Sequence, residues 1–230
     1  MKSLFLPKKV AGSLITAGLV SGCTVAPFAV TDGLLDDAAW KQLSAHSLVQ
    51  PQDYTSKGHI LREEGSCRFL CANGNLYLSA EFDDSFLITS GEKDGDDLYH
   101  GDCCEIFIKP SGQPFYWEIW ISPDGLRTVV KWSKKDNIES KGRLIEGREI
   151  RAAVTIKRTP AHGAENAGGW ILNAAIPLPD VSGLEPGAWN ILIARQNYDG
   201  SLSKETRELS SFPQLLKSSF HRTEEYFRLK

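Results

Sequence analysis

Two hydrophobic runs between residues 99 and 125 form the most informative pattern in the chain. Cys103 to Ile108 is a short apolar run that contains one carboxylate, and Phe115 to Ile121 is an aromatic-rich run that contains another. Proline, serine and glycine separate the two runs, which is typical of a β-hairpin. The pattern therefore predicts two neighbouring antiparallel strands.

Side chains alternate between the faces of a strand, so this hairpin has one apolar face and one mixed face. The apolar face holds Cys104, Ile106, Ile108, Trp117, Ile119 and Ile121. The mixed face holds Glu105, Glu118 and Trp120. Such a face suits a sugar, whose ring stacks on the aromatic side chain while its hydroxyls bond to the acids. An ordinary half-solvated face with one amphipathic tryptophan is the alternative.

Short hydrophobic runs separated by turn residues continue along the rest of the chain, without a long helical pattern. Further strands are predicted at residues 46–50, 67–71, 76–82, 128–132, 149–157, 170–176, 189–196 and 225–229. Asn73-Gly74 predicts a type I′ turn, and residues 83–102 and 133–147 are predicted as loops. Roughly ten short strands predict an all-β fold, a single antiparallel, jelly-roll-like β-sandwich. Trp40, Trp170 and Trp189 are expected in its core.

The N-terminus has the pattern of an export signal. Three lysines precede an apolar run from Val10 to Val20, which is too short to span a membrane. The sequence Val20-Ser21-Gly22-Cys23 resembles the lipobox of bacterial lipoproteins. We therefore expect residues 1–22 to be a signal peptide, 23–30 a tether lipidated at Cys23, and 31–230 the β-sandwich. A plain secretory signal is the alternative.

This organisation predicts a cell-envelope lipoprotein that contacts the membrane through its lipid anchor only. Thr24 offers no Asp-type retention signal, which favours the outer membrane if the host is Gram-negative. Removal of the signal leaves 208 residues with a formal charge of −6, because that segment carries three lysines and no acid. This charge argues against nucleic acid and anionic membrane surfaces as partners and is compatible with a neutral ligand.

Four further cysteines lie within the predicted domain, at Cys67, Cys71, Cys103 and Cys104. Export permits a cross-strand disulfide, but spacing does not define its connectivity. Buried free thiols are the alternative. A zinc site is disfavoured, because adjacent Cys103 and Cys104 point to opposite faces of a regular strand.

Several sequence pieces, taken in order, resemble carbohydrate-binding module family 9 and its family-9-like and DOMON-like relatives. The pieces are Asp32-Gly33-x-Leu35-Asp36-x-x-x-Trp40, Asn75-Leu76-Tyr77-Leu78, Gly101-Asp102-x-x-Glu105-Ile106-Phe107-Ile108, Gly169-Trp170-x-x-x-Ala174-Ala175-Ile176-Pro177, Pro186-Gly187-x-Trp189-Asn190, and Phe220-His221-Arg222 before Phe227-Arg228-Leu229. They span about residues 30–229. The resemblance implies a β-sandwich that binds saccharides and often holds structural calcium.

The resemblance also implies a set of ligand-binding residues. Two aromatic side chains clamp a terminal sugar in the family's sugar-binding members, and Tyr99 and Phe220 match them here. Glu105 matches the carboxylate, and Trp120 and Arg195 fall on equivalent strands, with Glu118 on the same face as Trp120. Both clamp residues are tryptophan in the prototypes, so the smaller rings of this chain give less stacking area.

An acidic loop is the expected location of any calcium. Its carboxylates are Asp83, Asp84, Asp94, Asp96 and Asp97. Carboxylate oxygens are ligands that calcium prefers, although the loop lacks EF-hand spacing. A solvated loop is the alternative.

Together these features predict non-catalytic carbohydrate binding at the cell envelope, in support of saccharide capture or degradation, with a glycoside hydrolase as a candidate partner. One alternative is a glycoside hydrolase that uses Glu105 and Glu118. Another is a haem-binding DOMON-like domain, although the sole methionine is Met1, so Met/His ligation would be lost with the signal peptide. A fold relative that has lost sugar binding is the third.

Overall fold

The computed structural model describes residues 13–15, 28–158, 167–181, 188–199 and 207–229. Strands in this part of the chain are β1 Ser13–Ile15, β2 Phe28–Thr31, β3 Leu34–Leu35, β4 His46–Ser47, β5 Gly65–Ala72, β6 Asn75–Phe82, β7 Cys103–Pro110, β8 Tyr116–Ile121, β9 Arg127–Lys134, β10 Asn137–Gly142, β11 Leu144–Ile145, β12 Arg148–Glu149, β13 Arg151–Arg158, β14 Ala167–Pro177, β15 Trp189–Asn197, β16 Glu208–Phe212 and β17 Phe227–Arg228. Two four-residue helices, α1 Asp37–Trp40 and α2 Gln52–Thr55, and 3₁₀ turns at Leu98–His100 and Thr223–Glu225 complete the described elements.

Two large antiparallel sheets make up the domain. One has seven strands in the order β10-β9-β8-β7-β15-β16, with β17 also paired to β15. The other has five strands in the order β13-β14-β6-β5-β4. Smaller sheets join β1, β2 and β3, and β11 and β12. The predicted all-β antiparallel sandwich is therefore confirmed.

The hydrophobic core lies between the inner faces of the two large sheets. The central hairpin contributes to it the apolar face that alternation predicts, with Cys104, Ile106 and Ile108 from β7 and Trp117, Ile119 and Ile121 from β8. The five-stranded sheet contributes residues such as Leu76, Leu78 and Trp170. Trp170 and Trp189 lie in this core, and Trp40 is buried in a second cluster outside it. The prediction that all three tryptophans are structural is consistent with this placement.

Turn chemistry explains how some of these strands are connected. Asn73 and Gly74 both have positive φ, at 49° and 71°, between β5 and β6. Both central residues of a type I′ turn require this conformation, so the predicted hairpin is confirmed. Asp36 caps α1, because its Oδ1 accepts a hydrogen bond from the Ala39 N–H at 2.8 Å.

Two strands of the seven-stranded sheet do not follow from the hydrophobic pattern. The predicted loop at residues 133–147 contains β10, whose residues are mostly exposed and polar. β16 was not predicted either, and its sequence Glu-Leu-Ser-Ser-Phe alternates only weakly. Both are end strands of the pairing order. β10 is exposed and polar, and β16 buries polar residues, Glu208, Ser210 and Ser211, so neither strand shows the hydrophobic alternation that marks a strand in the sequence.

The four cysteines of the domain are free thiols, three buried and Cys71 exposed. The predicted signal peptide and the lipidation residue Cys23 fall outside the described residues, apart from Ser13–Ile15, so both remain predictions. Among the described helices, none is long and apolar enough to cross a membrane.

Candidate functional site

A pocket of about 380 Å³ lies on the outer face of the seven-stranded sheet. Five of the six predicted ligand-binding residues line it: Tyr99, Glu105, Glu118, Trp120 and Phe220. This volume is at the lower end of the range of small-molecule pockets. The mixed face that alternation predicts for the β7–β8 hairpin is therefore the floor of a cavity.

The register between β7 and β8 explains how the floor is assembled. Glu105 pairs with Trp120, and Phe107 pairs with Glu118. Glu105 and Glu118 are thus diagonal neighbours on one face, close enough for their long side chains to meet. Both glutamates are almost wholly buried, with 2% and 3% of the residue surface exposed.

Two indole N–H groups bind Glu118, one to each of its oxygens. The Trp120 Nε1–H donates to Oε1 at 2.7 Å, and the Trp132 Nε1–H donates to Oε2 at 2.8 Å. His221 Nε2 lies 3.9 Å from the same Oε2. Since hydrogen bonds to the charged form favour ionisation, this arrangement suits a carboxylate at position 118.

Glu105 has weaker partners. The Gln196 amide donates to its Oε1, and the Cys103 thiol lies 3.8 Å from that oxygen. Arg207 Nη1 donates to Oε1 of the Gln196 side-chain amide at 2.8 Å, which orients the amide N–H toward Glu105. Arg207 thus contacts the amide rather than the acid.

Burial raises the pKa of both acids above the usual range of a glutamate. The charge of Glu118 raises the pKa of Glu105 further, whereas the Gln196 hydrogen bond and the charge of Arg207 lower it without cancelling the effect of burial. The two indole donors and the proximity of Glu105 lower the pKa of Glu118 but do not cancel the effect of its burial. Two adjacent acids in a site of low polarity do not both ionise readily.

Aromatic residues form the walls above this floor. The ring centroid of Tyr99 lies 4.9 Å from that of Trp120, and Trp132 stacks on Tyr116 with centroids 6.0 Å apart. Phe220 packs edge-on against Phe107 at 6.3 Å. The pocket therefore offers ring surfaces beside a hydrogen-bonding floor.

Several hydrogen bonds hold these walls in place. The Tyr198 hydroxyl donates to the Tyr99 carbonyl at 3.2 Å, and the Tyr226 hydroxyl donates to the Phe220 carbonyl at 2.7 Å. The Tyr116 hydroxyl and His221 Nδ1 are 2.8 Å apart. Burial lowers the pKa of His221, which favours its neutral form.

Arg195 is not at the pocket, and its predicted placement there is wrong. Its partner across the sheet is Cys104, a residue of the inner face, so Arg195 also points between the sheets. Its Nη2 donates to Asp84 Oδ2 at 3.1 Å and to Asn197 Oδ1 at 2.8 Å, and lies 3.7 Å from Glu63 Oε2. Arg195 therefore neutralises buried acids at one end of the sandwich.

The residue that reaches the pocket from β15 is Gln196, one position further along the chain. The side-chain period of two makes this one-residue difference decisive. Trp132, Lys141, Arg207 and His221 were also missed as lining residues. Side chains alternate between faces, so the pairing of β8 with β9 could have placed Trp132 on the same face as Glu118 from the sequence. β10 is exposed and polar, so its sequence gives no such signal for Lys141.

The five acidic-loop residues predicted for calcium accept hydrogen bonds from protein groups. Asp83 binds Lys157, Asp84 binds Arg195, Asp94 binds the Arg127 N–H, Asp96 binds the N–H groups of Glu92 and Lys93, and Asp97 binds Lys141. In the part of the chain that is described, no group of three or more His, Cys, Asp or Glu residues could hold a metal ion. Structural calcium remains a prediction from the sequence.

Comparisons with known proteins show what this fold is similar to. A candidate carbohydrate-binding protein from Bacteroides uniformis superposes with a TM-score of 0.60 at 14% identity, covering 81% of this chain and 85% of its own. Two structures of a carbohydrate binding module family 9 from Caldicellulosiruptor kristjanssonii have lower TM-scores. The complex with cellotriose gives 0.49 at 16% identity, covering 79% and 77% of the two chains. The glucose complex gives 0.48 at 15%, covering 86% and 83%.

No protein-family model matches the chain, and no curated protein matches it. The likeness to the Bacteroides uniformis protein shows that the two chains share a fold, as the sequence pieces predict.

Proposed function

We propose that this protein is a non-catalytic saccharide-binding domain whose ligand occupies the pocket above Glu105 and Glu118. The observation that carries the proposal is the combination of aromatic walls with a buried hydrogen-bonding floor in one cavity. A pyranose ring presents apolar C–H surfaces to aromatic rings and hydroxyls to polar groups, so it matches both features. The fold neighbour's description as a candidate carbohydrate-binding protein is in accord with this proposal.

The affinity is expected to be modest. A sugar buries little apolar area, and its hydroxyls must lose water before they bond to the protein. These opposing contributions predict dissociation constants on the order of micromolar to millimolar.

Glycoside hydrolysis by Glu105 and Glu118 is disfavoured by their burial and by the hydrogen bonds of Glu118. A hydrolase needs two carboxyls that flank a glycosidic bond and can reach it. Here both acids are buried in the pocket floor, and both oxygens of Glu118 are already engaged by indole N–H groups. Incubation with chromogenic glycosides should release no chromophore. Turnover that Glu118→Gln abolishes would establish the enzyme instead.

A glycan array tests the binding proposal, with glucose and cellotriose among the probes. The wild-type protein should retain at least one glycan, and Tyr99→Ala should lose most of that signal. Phe86→Ala is the matched control, because Phe86 is an aromatic residue with 54% of its surface exposed and no place in the pocket lining. Equal retention by wild type and Tyr99→Ala would mean that the ligand binds elsewhere.

A cell-envelope location is the second part of this proposal, and it is based on the sequence alone. Lipidation at Cys23 would anchor the domain by acyl chains, and two or more such chains hold a protein stably on a membrane. Captured saccharide would then be available to a glycoside hydrolase at the same surface.

Cys23→Ser should move the protein from the membrane fraction to the soluble fraction. Cys71→Ser, which removes an exposed thiol of the folded domain, should leave it in the membrane fraction. Retention of the Cys23→Ser protein on membranes, with no labelled palmitate in the wild type, would overturn the lipoprotein assignment.

A further inference from the structure

We propose that Glu105 holds a proton at neutral pH and donates a hydrogen bond to ionised Glu118, and that this acid pair binds an uncharged sugar only while the proton remains. The inference rests on the proposed function, since it assigns the ligand class and the pH response of the same pocket. The family resemblance does not indicate that Glu105 and Glu118 share a proton.

The geometry favours a proton in this pair. The acids are diagonal neighbours on one sheet face, nearly wholly buried, and line the same pocket. Two ionised carboxylates this close in a site of low polarity repel each other, and two carboxyls can hydrogen-bond to each other only if one of them carries hydrogen. Among the described residues, no lysine or arginine forms an ion pair with either acid, and His221 lies 3.9 Å from Glu118.

The hydrogen-bond partners assign the proton to Glu105. Both oxygens of Glu118 accept an indole N–H, so that a proton on Glu118 would compete with a donor already in place. Glu105 has one amide donor and a distant thiol, both at Oε1. Glu105 is therefore the donor and Glu118 the acceptor.

Among the described residues, no cation contacts either acid directly, and the charge of Arg207 acts on Glu105 only through space. Lys141 of β10 pairs with Asp97 at 2.6 Å, Arg207 bonds to Oε1 of the Gln196 side chain, and burial favours neutral His221. The remaining titratable neighbours have raised pKa values and stay protonated: Cys103, Tyr99, Tyr116, Tyr198 and Tyr226. The charges of the described lining residues balance when the pair carries one negative charge.

This state gives the floor both a donor and an acceptor for sugar hydroxyls, which themselves donate and accept. It favours an uncharged sugar over a uronic acid, whose carboxylate would face the negative charge of Glu118. As the pH rises and Glu105 ionises, the floor loses its donor and gains a second negative charge. Affinity should therefore fall with rising pH, by about tenfold or more for one lost charge-assisted hydrogen bond.

Infrared spectroscopy of the ligand-free protein tests the proton without any sugar. The wild type at pH 7 should show a protonated-carboxyl band that Glu105→Gln removes and Glu118→Gln does not. Burial raises the pKa of Asp102 to about 7, so this acid also contributes to the protonated-carboxyl region of the spectrum. The Asp102→Asn spectrum identifies that contribution. Identical carboxyl bands in wild type and Glu105→Gln, or a band that only Glu118→Gln removes, would overturn the assignment.

Calorimetric titration from pH 6 to pH 9 tests the consequence, with the strongest neutral glycan of the array as probe. The wild type should weaken about tenfold or more over this range. Glu105→Gln should bind with equal affinity at pH 6 and pH 9, since the amide is a permanent donor. Glu118→Gln should bind poorly at both pH values, because its amide N–H would face an indole N–H.

These outcomes separate the two proposals. A protein with the carboxyl band and no glycan partner would contradict saccharide binding and support the proton assignment. A protein that binds a glycan equally at pH 6 and pH 9, with the band unaffected by Glu105→Gln, would support saccharide binding and contradict the shared proton. If Glu118→Gln fails to fold, the comparison of wild type with Glu105→Gln still decides the question.

Discussion

Tyr99 and Trp132 are the aromatic residues of the pocket that keep part of their surface exposed. Each has a fixed backbone or side-chain partner, Tyr198 for Tyr99 and Glu118 for Trp132. Rings that are held in place before the ligand arrives lose little conformational freedom on binding. Stacking at this pocket should therefore depend on ring area at these two positions.

Enlarging the ring at position 99 should test stacking directly. Tyr99→Trp should maintain or raise sugar affinity because the indole offers more stacking surface, and Tyr99→Ala should lower it by about 1–2 kcal/mol, or roughly tenfold. Isothermal titration calorimetry measures both. Wild-type affinity in Tyr99→Ala would remove this residue from the binding surface.

Arg195 should contribute to folding and not to ligand contact. Arg195→Met leaves Asp84 buried without its cation, which typically costs about 3–5 kcal/mol. Thermal denaturation should show a fall in melting temperature of about 6 °C or more. The double variant with Asp84→Asn should recover part of this loss. An unchanged melting temperature for Arg195→Met would show that the ion pair contributes nothing net.

At the scale of elements, the loop between β6 and β7 determines where Tyr99 lies. Asp102 is fully buried and accepts hydrogen bonds from the N–H groups of Ile88 and Tyr198, so it ties the loop to the end of β15. Gly101 lies against the same loop: a Cβ there would be 2.7 Å from both the Ile88 oxygen and the Ser90 nitrogen. The Gly101-Asp102 pair therefore explains why this loop has one conformation at the pocket.

Gly101→Ala should displace the loop and weaken binding. The added methyl group meets backbone atoms, which cannot move aside as a flexible side chain could, so both the melting temperature and the sugar affinity should fall. Gly142→Ala is the matched control, because a Cβ at Gly142 meets nothing within 4 Å and its φ is not positive. If Gly101→Ala loses stability but keeps its sugar affinity, then the packing of the loop does not determine where Tyr99 lies at the pocket.

The elements that could be predicted from sequence are the strands in which every second residue is hydrophobic because one face is buried in the core. The β7–β8 hairpin has an apolar run on one face, so its faces, and with them Glu105, Glu118 and Trp120, follow from the period of two. β15 is apolar on both faces, so the pattern did not distinguish Arg195 from Gln196. β10 is exposed and polar, so Lys141 could not be placed without the tertiary structure.

At the scale of the whole molecule, buried acids connect stability to pH. Burial raises the pKa of Asp102 to about 7 and raises the pKa values of Asp84, Glu105 and Glu118, with one proton held by the Glu105–Glu118 pair. Between the unfolded pKa of these acids, about 4, and their raised folded values, the folded state binds more protons than the unfolded state. Stability must then decrease as the pH rises through this window.

The melting temperature should thus be higher at pH 5.5 than at pH 8.5, by several degrees or more, since each pKa unit corresponds to about 1.4 kcal/mol. The double variant Glu105→Gln with Asp102→Asn should flatten the profile. Differential scanning calorimetry across this range is the measurement. A wild-type profile that rises from pH 5.5 to pH 8.5 would show that these acids are ionised in the folded state.

The central claim, that a saccharide occupies the pocket above Glu118, is tested most directly by the indole N–H signals of the six tryptophans in a nitrogen–proton NMR titration. Trp120 and Trp132 donate to Glu118 on the pocket floor, whereas Trp40, Trp117, Trp170 and Trp189 are buried outside the pocket lining. Addition of the best glycan should shift the first two signals saturably and leave the other four in place. Saturable shifts confined to the other four, or no shift at all with a glycan that the array shows to bind, would contradict the account.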